Sequence, residues 1–242
     1  MTAQQSVDET PEQIAAREKA RRDQVEAERK LRLEEFRQKA LDKLEVSELL
    51  HGRMKLPKRY RRMNIANYVG KDAVLKIAVD AIERGESVMI GGECGVGKTH
   101  LAVACMYAWM RKYFQFGYPE YGDTPQLQTP VPLFLPTIDL FFELKTTFGG
   151  HGKTEQEVLD RYTKLPMLVI DDLGAEKSGE WARQDLYYLI DQRYKNEVQT
   201  VITSNLTLAR ISELIDDRIA SRINGMGVVI ELGGEDRRVS KP

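Results

Sequence analysis

Residues Gly92 to Thr99 read G-E-C-G-V-G-K-T and fit the phosphate-loop pattern G-x-x-x-x-G-K-[ST]. The run Ser87-Val88-Met89-Ile90 before them has the length and apolarity of a short strand. After them Leu101, Ala102, Cys105, Ala108 and Trp109 recur at helical spacing. Strand, loop and helix in that order form a cradle: glycines let successive backbone N–H groups turn inward around phosphate oxygens, and the helix adds its positive end. The whole loop, Gly92, Glu93, Cys94, Gly95, Val96, Gly97, Lys98, Thr99 and the following His100, is therefore expected to hold a nucleotide, with ATP and Mg²⁺ as the cofactors. Lys98 would reach the β- and γ-phosphates, and the Thr99 hydroxyl would hold the metal.

A second stretch supports the first. Leu168-Val169-Ile170-Asp171-Asp172 is an apolar run ending in two acids, about 70 residues after the loop and bounded by Pro166 and Gly174. Such a run suits a central parallel strand, whose two faces are both buried. Its C-terminal acids would project into the crevice where α/β sheets bind ligands. Asp171 is expected to serve Mg²⁺ and Asp172 to polarise the attacking water. Further on, Thr200-Val201-Ile202-Thr203 ends at Ser204-Asn205, which places Asn205 to orient that water or, alternatively, to cap the next helix. In Asp217-Arg218-Ile219-Ala220-Ser221-Arg222-Ile223 two arginines four apart share a helical face. Either would suit a finger reaching a neighbouring subunit's γ-phosphate, or a surface ion pair with Asp216 or Asp217.

Composition sets the outer limits. The 242 residues carry 36 Lys and Arg against 37 Asp and Glu, so any nucleic-acid contact must come from a local patch rather than a global charge. Cys94 and Cys105 form no C-x-x-C, and His51, His100 and His151 are scattered, which excludes a zinc site of the usual spacing and suggests a reducing compartment. No apolar run reaches spanning length, so no membrane association and a cytoplasmic location are expected.

Three regions follow from the pattern: a helical partner-binding segment at 1–52, a basic linker at 53–70 and an ATPase domain at 71–242. Residues 1 to about 11 read as unstructured, and Glu12 to about Leu50 lacks Gly and Pro and favours helix. There Leu33, Phe36, Ala40 and Leu44 make one apolar stripe. It suits packing on the chain's own domain, docking to a partner, or a homotypic coiled coil. Arg53, Lys55, Lys58, Arg59, Arg61 and Arg62 form the linker, read as a solvated connector or as a phosphate contact. Tyr113 to Pro132, rich in aromatics, Gly and Pro, reads as a surface loop or hairpin insert. Its Tyr118 and Tyr121 are available to stack on bases, although self-packing is the plainer account. Five strands alternating with helices predict a three-layer α/β domain on a parallel sheet.

The order of these parts resembles the bacterial or phage helicase loaders of the DnaC/DnaI type, within the initiator clade of AAA+ ATPases that includes DnaA and IstB. The resemblance runs from about Lys55 to Arg238 and includes Leu56-Pro57-Lys58-Arg59-Tyr60, Asn67-Tyr68 and Gly97-Lys98-Thr99-His100-Leu101-Ala102. Its most telling stretch is Thr154 to Leu173, where a short helix precedes the Asp-Asp strand. It implies a P-loop AAA+ fold of the ASCE type with a five-stranded parallel sheet, an N-terminal helical segment and no C-terminal lid. It also implies roles for Lys98, Asp172, Asn205 (sensor 1) and Arg222 (the finger, with Arg218 second) in catalysis, and for Thr99 and Asp171 at the metal. Arg237 and Arg238 are the basic residues nearest a sensor-2 role. Two departures stand out: there is no zinc module near the N-terminus, and the aromatic insert is not part of the pattern.

The implied function is an oligomeric ATPase, slow or stimulated by partner or DNA, that loads a replicative DnaB-type helicase onto single-stranded DNA. Its N-terminal helices would grip the helicase. The alternative is an IstB-like regulatory ATPase serving a transposase. A small-molecule P-loop kinase is disfavoured, because no substrate-binding domain is offered and the arginine box points to catalysis between subunits.

Overall fold

The computed structural model describes residues 10–43, 47–120, 123–149, 152–174 and 179–236. It contains two compact units. The smaller joins α1 (Pro11–Asp42) to the insert at 115–128, and the larger holds the rest.

In the smaller unit, α1 is a single 32-residue helix that stops at Asp42, short of the Leu50 expected from composition. Its first two-thirds are solvent-exposed, as an evenly charged sequence requires. The insert is a hairpin of β2 (Phe116–Gly117) and β3 (Gln126–Leu127), paired antiparallel. Phe36 of the stripe meets Phe116 edge to face at 5.6 Å. Arg29 stacks on Tyr118 at 4.8 Å and faces Asp123 at 3.5 Å, while the Tyr118 hydroxyl donates to Arg29 O. The stripe thus has an aromatic partner within its own chain, and Tyr118 is occupied by an arginine. Leu44 and Tyr121 lie outside the described residues.

The larger unit begins with α2 (Glu48–Arg53), N-capped by the Ser47 hydroxyl. The basic stretch after it is not a free connector. Met54 and Leu56 are fully buried, Phe134 N donates to Met54 O at 2.8 Å, and Arg61 pairs with Glu48. Then come α3 (Asp72–Arg84), β1 (Ser87–Gly92), α4 (Lys98–Tyr113), β4 (Leu133–Pro136), α5 (Thr137–Thr147) and α6 (Glu155–Thr163). β5 (Met167–Leu173), α7 (Glu180–Lys195), β6 (Gln199–Ser204), α8 (Leu208–Leu214), α9 (Asp217–Met226) and β7 (Gly227–Leu232) complete it. The five long strands form one parallel sheet in the order β4-β5-β6-β1-β7, as expected.

Strand alternation sorts the core. Met89, Leu133, Leu135, Leu168, Ile170 and Ile202 point into one cluster with α5 through α9, among them Leu140, Leu186, Ile211 and Ile219. The residues between them, such as Val88, Ile90, Val169 and Val201, are as deeply buried, so both faces of the sheet are covered. α3 and α4 pack on each other and on β1. The short helix before β5 starts on a capping box, Thr154 with Glu157, which satisfies two orphan donors at once.

One buried charge ties three of these elements. Arg193 of α7 is fully buried, and its guanidinium donates to Tyr162 O, Leu165 O, Gln199 O and Thr200 Oγ1 at 2.6–2.9 Å. Burial without water lowers its pKa to about 9.

Candidate nucleotide site

The C-terminal ends of β1, β5 and β6 lie on one edge of the sheet, because the strands run parallel, and the expected site residues gather there. The loop after β1 turns on three glycines in positive-φ conformations: Gly92 (142°), Gly95 (80°) and Gly97 (104°). At Gly92 a Cβ would also strike Leu232 O of β7 at 2.3 Å, so no side chain fits. The Asp236 carboxylate rests where a Cβ on Gly95 would point.

Lys98 and Thr99 open α4. Lys98 is buried, and its Nζ donates to Gly92 O (2.9 Å), Glu93 O (2.7 Å) and Asn205 Oδ1 (2.6 Å). Asn205 Nδ2 in turn donates to Asp172 Oδ1 at 2.8 Å. A polar chain therefore runs from the loop lysine through Asn205 to the second acid. Cys94 Sγ reaches the same Asn205 oxygen at 3.6 Å. Beside this chain, Thr99 Oγ1 donates to Asp171 Oδ1 at 3.2 Å.

The two acids stand in different settings. Asp171 is buried and its pKa is raised, chiefly by burial, against which hydrogen bonds from Thr203 and Thr99 act. Asp172 is exposed and has φ 61°, a left-handed conformation that turns its side chain out of the strand's pattern. Thr203 serves both: its hydroxyl donates to Asp171 Oδ1 (2.7 Å) and accepts from Asp172 N (2.8 Å). Thr137 Oγ1 donates to Asp171 O at 3.0 Å. Neither threonine was singled out in the sequence. The signal for Thr203 was its place two residues before Asn205, on the face opposite its neighbours.

These residues line a cleft of about 380 Å³, to which Arg59, Tyr60, Met63 and Val69 contribute a further wall. The contents suit a nucleoside triphosphate with a divalent cation: a glycine cradle, the Lys98 cation with Arg59 on the further wall, and a hydroxyl beside a carboxylate. Among the described residues no three His, Cys, Asp or Glu side chains converge. A metal here would accordingly rely on Thr99, Asp171, water and the phosphates themselves, which is the habit of Mg²⁺.

The arginines of α9 are not part of this cleft. Arg222 Nε donates to Asp191 Oδ1 at 2.8 Å and lies over Tyr194. Arg218 forks onto both Asp216 oxygens and lies over Tyr187. Within one chain, then, the fold brings together Lys98, Thr99, Asp171, Asp172 and Asn205 and leaves Arg218 and Arg222 elsewhere. Arg237 and Arg238 lie outside the described residues.

The parallel five-stranded sheet, its phosphate loop and the acids on the strand next but one define the class: this is a P-loop AAA+ domain of the α/β type, preceded by a helical segment. Within that class the chain resembles the DnaC/DnaI-type loaders. Residues 130–239 match the family described as IstB-like ATP binding protein. The replicative helicase loader DnaC of Escherichia coli (strain K12) is 22% identical over 157 residues, covering 64% of this chain and 58% of that protein. The match thus spans little more than half of that relative's length. A crystal structure of the DnaC helicase loader superposes with a TM-score of 0.57 at 29% identity, covering 73% of this chain and 100% of the other. The crystal structure of DnaI gives 0.58 at 24% identity, a likeness of fold, covering 76% and 94%. Among the described residues no helix is long and apolar enough to cross a membrane.

Proposed function

We propose that this chain binds and hydrolyses ATP with Mg²⁺ as a AAA+ protein and, as an oligomer, places a replicative hexameric helicase on single-stranded DNA. The polar chain from Lys98 through Asn205 to Asp172 carries the ATPase part. It links the group that would hold the γ-phosphate to the acid that would activate water, with Thr99 and Asp171 beside it for the metal. Arg222, held by Asp191 away from its own cleft, is left for a neighbouring subunit's phosphate. The similarity to DnaC loaders supports the choice of partner, and α1 supplies a long exposed helix for it to grip.

The test is size-exclusion of the full chain with a DnaB-type helicase, with ATP and circular single-stranded DNA added in turn. Co-elution, followed by ATP-dependent transfer of the helicase to DNA, is the expected result. ATP hydrolysis with no helicase complex would sink the loading role. The second reading would then stand, an IstB-like regulatory ATPase serving a transposase, whose likeness here is the match of residues 130–239 to a family described as IstB-like ATP binding protein.

A further inference from the structure

Asn64 and Asn67 lie in the segment between the 3₁₀ turn Lys58–Tyr60 and α3, and they close a small polar ring. Asn64 N donates to Asn67 Oδ1 and Asn67 N donates to Asn64 Oδ1, both at 2.8 Å. Asn67 Nδ2 donates to Arg62 O at 2.5 Å. Both polar atoms of the Asn67 side chain are thereby engaged.

His100 reaches this ring from the first turn of α4, one residue past Thr99. Its Nε2 stands 3.0 Å from Asn64 O and 2.9 Å from Asn67 Oδ1. Both partners are acceptors, so Nε2 carries a hydrogen and donates to them. The Tyr68 ring meets the imidazole edge to face at 5.3 Å and fixes its plane. The segment so held also supplies Met63 and Val69, and the 3₁₀ turn just before it supplies Tyr60, to the cleft that Gly95, Lys98 and Thr99 line. An aromatic ring with two apolar side chains suits one face of a flat heterocycle, whereas the glycine loop suits phosphates. His100 is the polar link between the two walls.

We propose that Asn67, acting through His100, is a positioning residue that sets the base-facing wall in register with the phosphate loop. Base and triphosphate are then gripped together, and the protein distinguishes a nucleoside triphosphate from a bare polyphosphate. The proposal rests on the nucleotide reading above. Cutting the clasp should loosen the base wall and leave the loop's own hold on phosphate in place.

The experiment titrates full-length protein with Mg·ATP and, separately, with Mg·tripolyphosphate, for the parent, Asn67→Ala and Asn67→Asp. For Asn67→Ala, ATP affinity should fall about tenfold or more, while tripolyphosphate affinity stays within about twofold. Asn67→Asp keeps the acceptor that faces His100 but loses the donor to Arg62 O, and should recover part of the loss. If Asn67→Ala does not fold, Asn67→Ser, whose shorter hydroxyl withdraws from His100 with less loss of volume, makes the same cut, and Asn67→Asp keeps the rescue role. Parental ATP affinity in the cut variant overturns the proposal, and so does an equal loss for both ligands or a conservative variant that rescues nothing. A parent that binds neither ligand overturns the nucleotide reading itself, a result distinct from any of these.

Discussion

Asp172 adopts the left-handed conformation that asparagine and aspartate tolerate and most residues resist. Asp172→Asn therefore keeps the backbone while removing the charge, which makes it a clean probe. It should still bind Mg·ATP but hydrolyse it about 10²-fold more slowly or worse, measured as phosphate release at saturating ATP. Asp171→Asn should instead weaken binding in proportion to Mg²⁺, because the buried carboxylate beside Thr99 is the one placed for metal. Two variants with parental turnover would refute the division. At this scale the sequence named in advance the residues that the fold gathers into one cleft, Lys98, Thr99, the two acids and Asn205. Thr203, Thr137 and the Asn64–Asn67 turn went unseen, because their roles come from what the fold sets opposite them. A threonine in a strand reads as a β-former until its neighbour across the ladder is known.

Arg193 shows what an element can hide. On the sequence it is one more cation in a helix rich in charge, yet it binds the end of α6, α7 and the start of β6 through four hydrogen bonds. Arg193→Met should cost about 3–5 kcal/mol, since it strands buried carbonyls as well as losing a cation's bonds. A denaturant titration at constant m-value would measure it, and a loss under 1 kcal/mol would refute the clamp. Asp185, also on α7, makes a prediction with the opposite sign. It is buried, and burial with Glu155 beside it raises its pKa to about 6. The folded state thus holds that proton more tightly than the unfolded chain, whose aspartate titrates near 3.9. The stabilising effect of protonation is full below about pH 4 and is lost as pH rises through about 6. Asp185→Asn should therefore raise stability at pH 7–8 by up to about 2 kcal/mol and change little at pH 4. Thermal melts across that range would show it, and equal shifts at both ends would refute it. Helices and strands of the core were legible from periodicity to within a few residues. The length of α1 was not, since a run of charged helix-formers carries no stop signal of its own.

At the scale of the whole molecule, the proposed finger role requires Arg222 to leave Asp191 and Tyr194, which hold it in its own chain. Mixing Arg222→Ala with Lys98→Ala protein addresses it. Each should be inactive alone, and mixed assemblies should recover part of the parental rate where an intact lysine faces an intact arginine, an effect worth up to about 10³–10⁵ per finger. No recovery at any ratio, with co-assembly verified, would refute a shared site. The parallel sheet was readable in advance, because strands alternating with helices allow few other arrangements. The hairpin's service to α1 was not readable, since it joins segments far apart in the chain and no periodicity spans that gap. That separation has a consequence during synthesis. Phe36 is made roughly 80 residues before Phe116, a wait of roughly 4–16 s at ~5–20 residues per second. For that interval the nascent helix has no ring to set against its stripe. Its dense, balanced charge then serves a second purpose, keeping an unpartnered segment from sticking to the rest of the emerging chain.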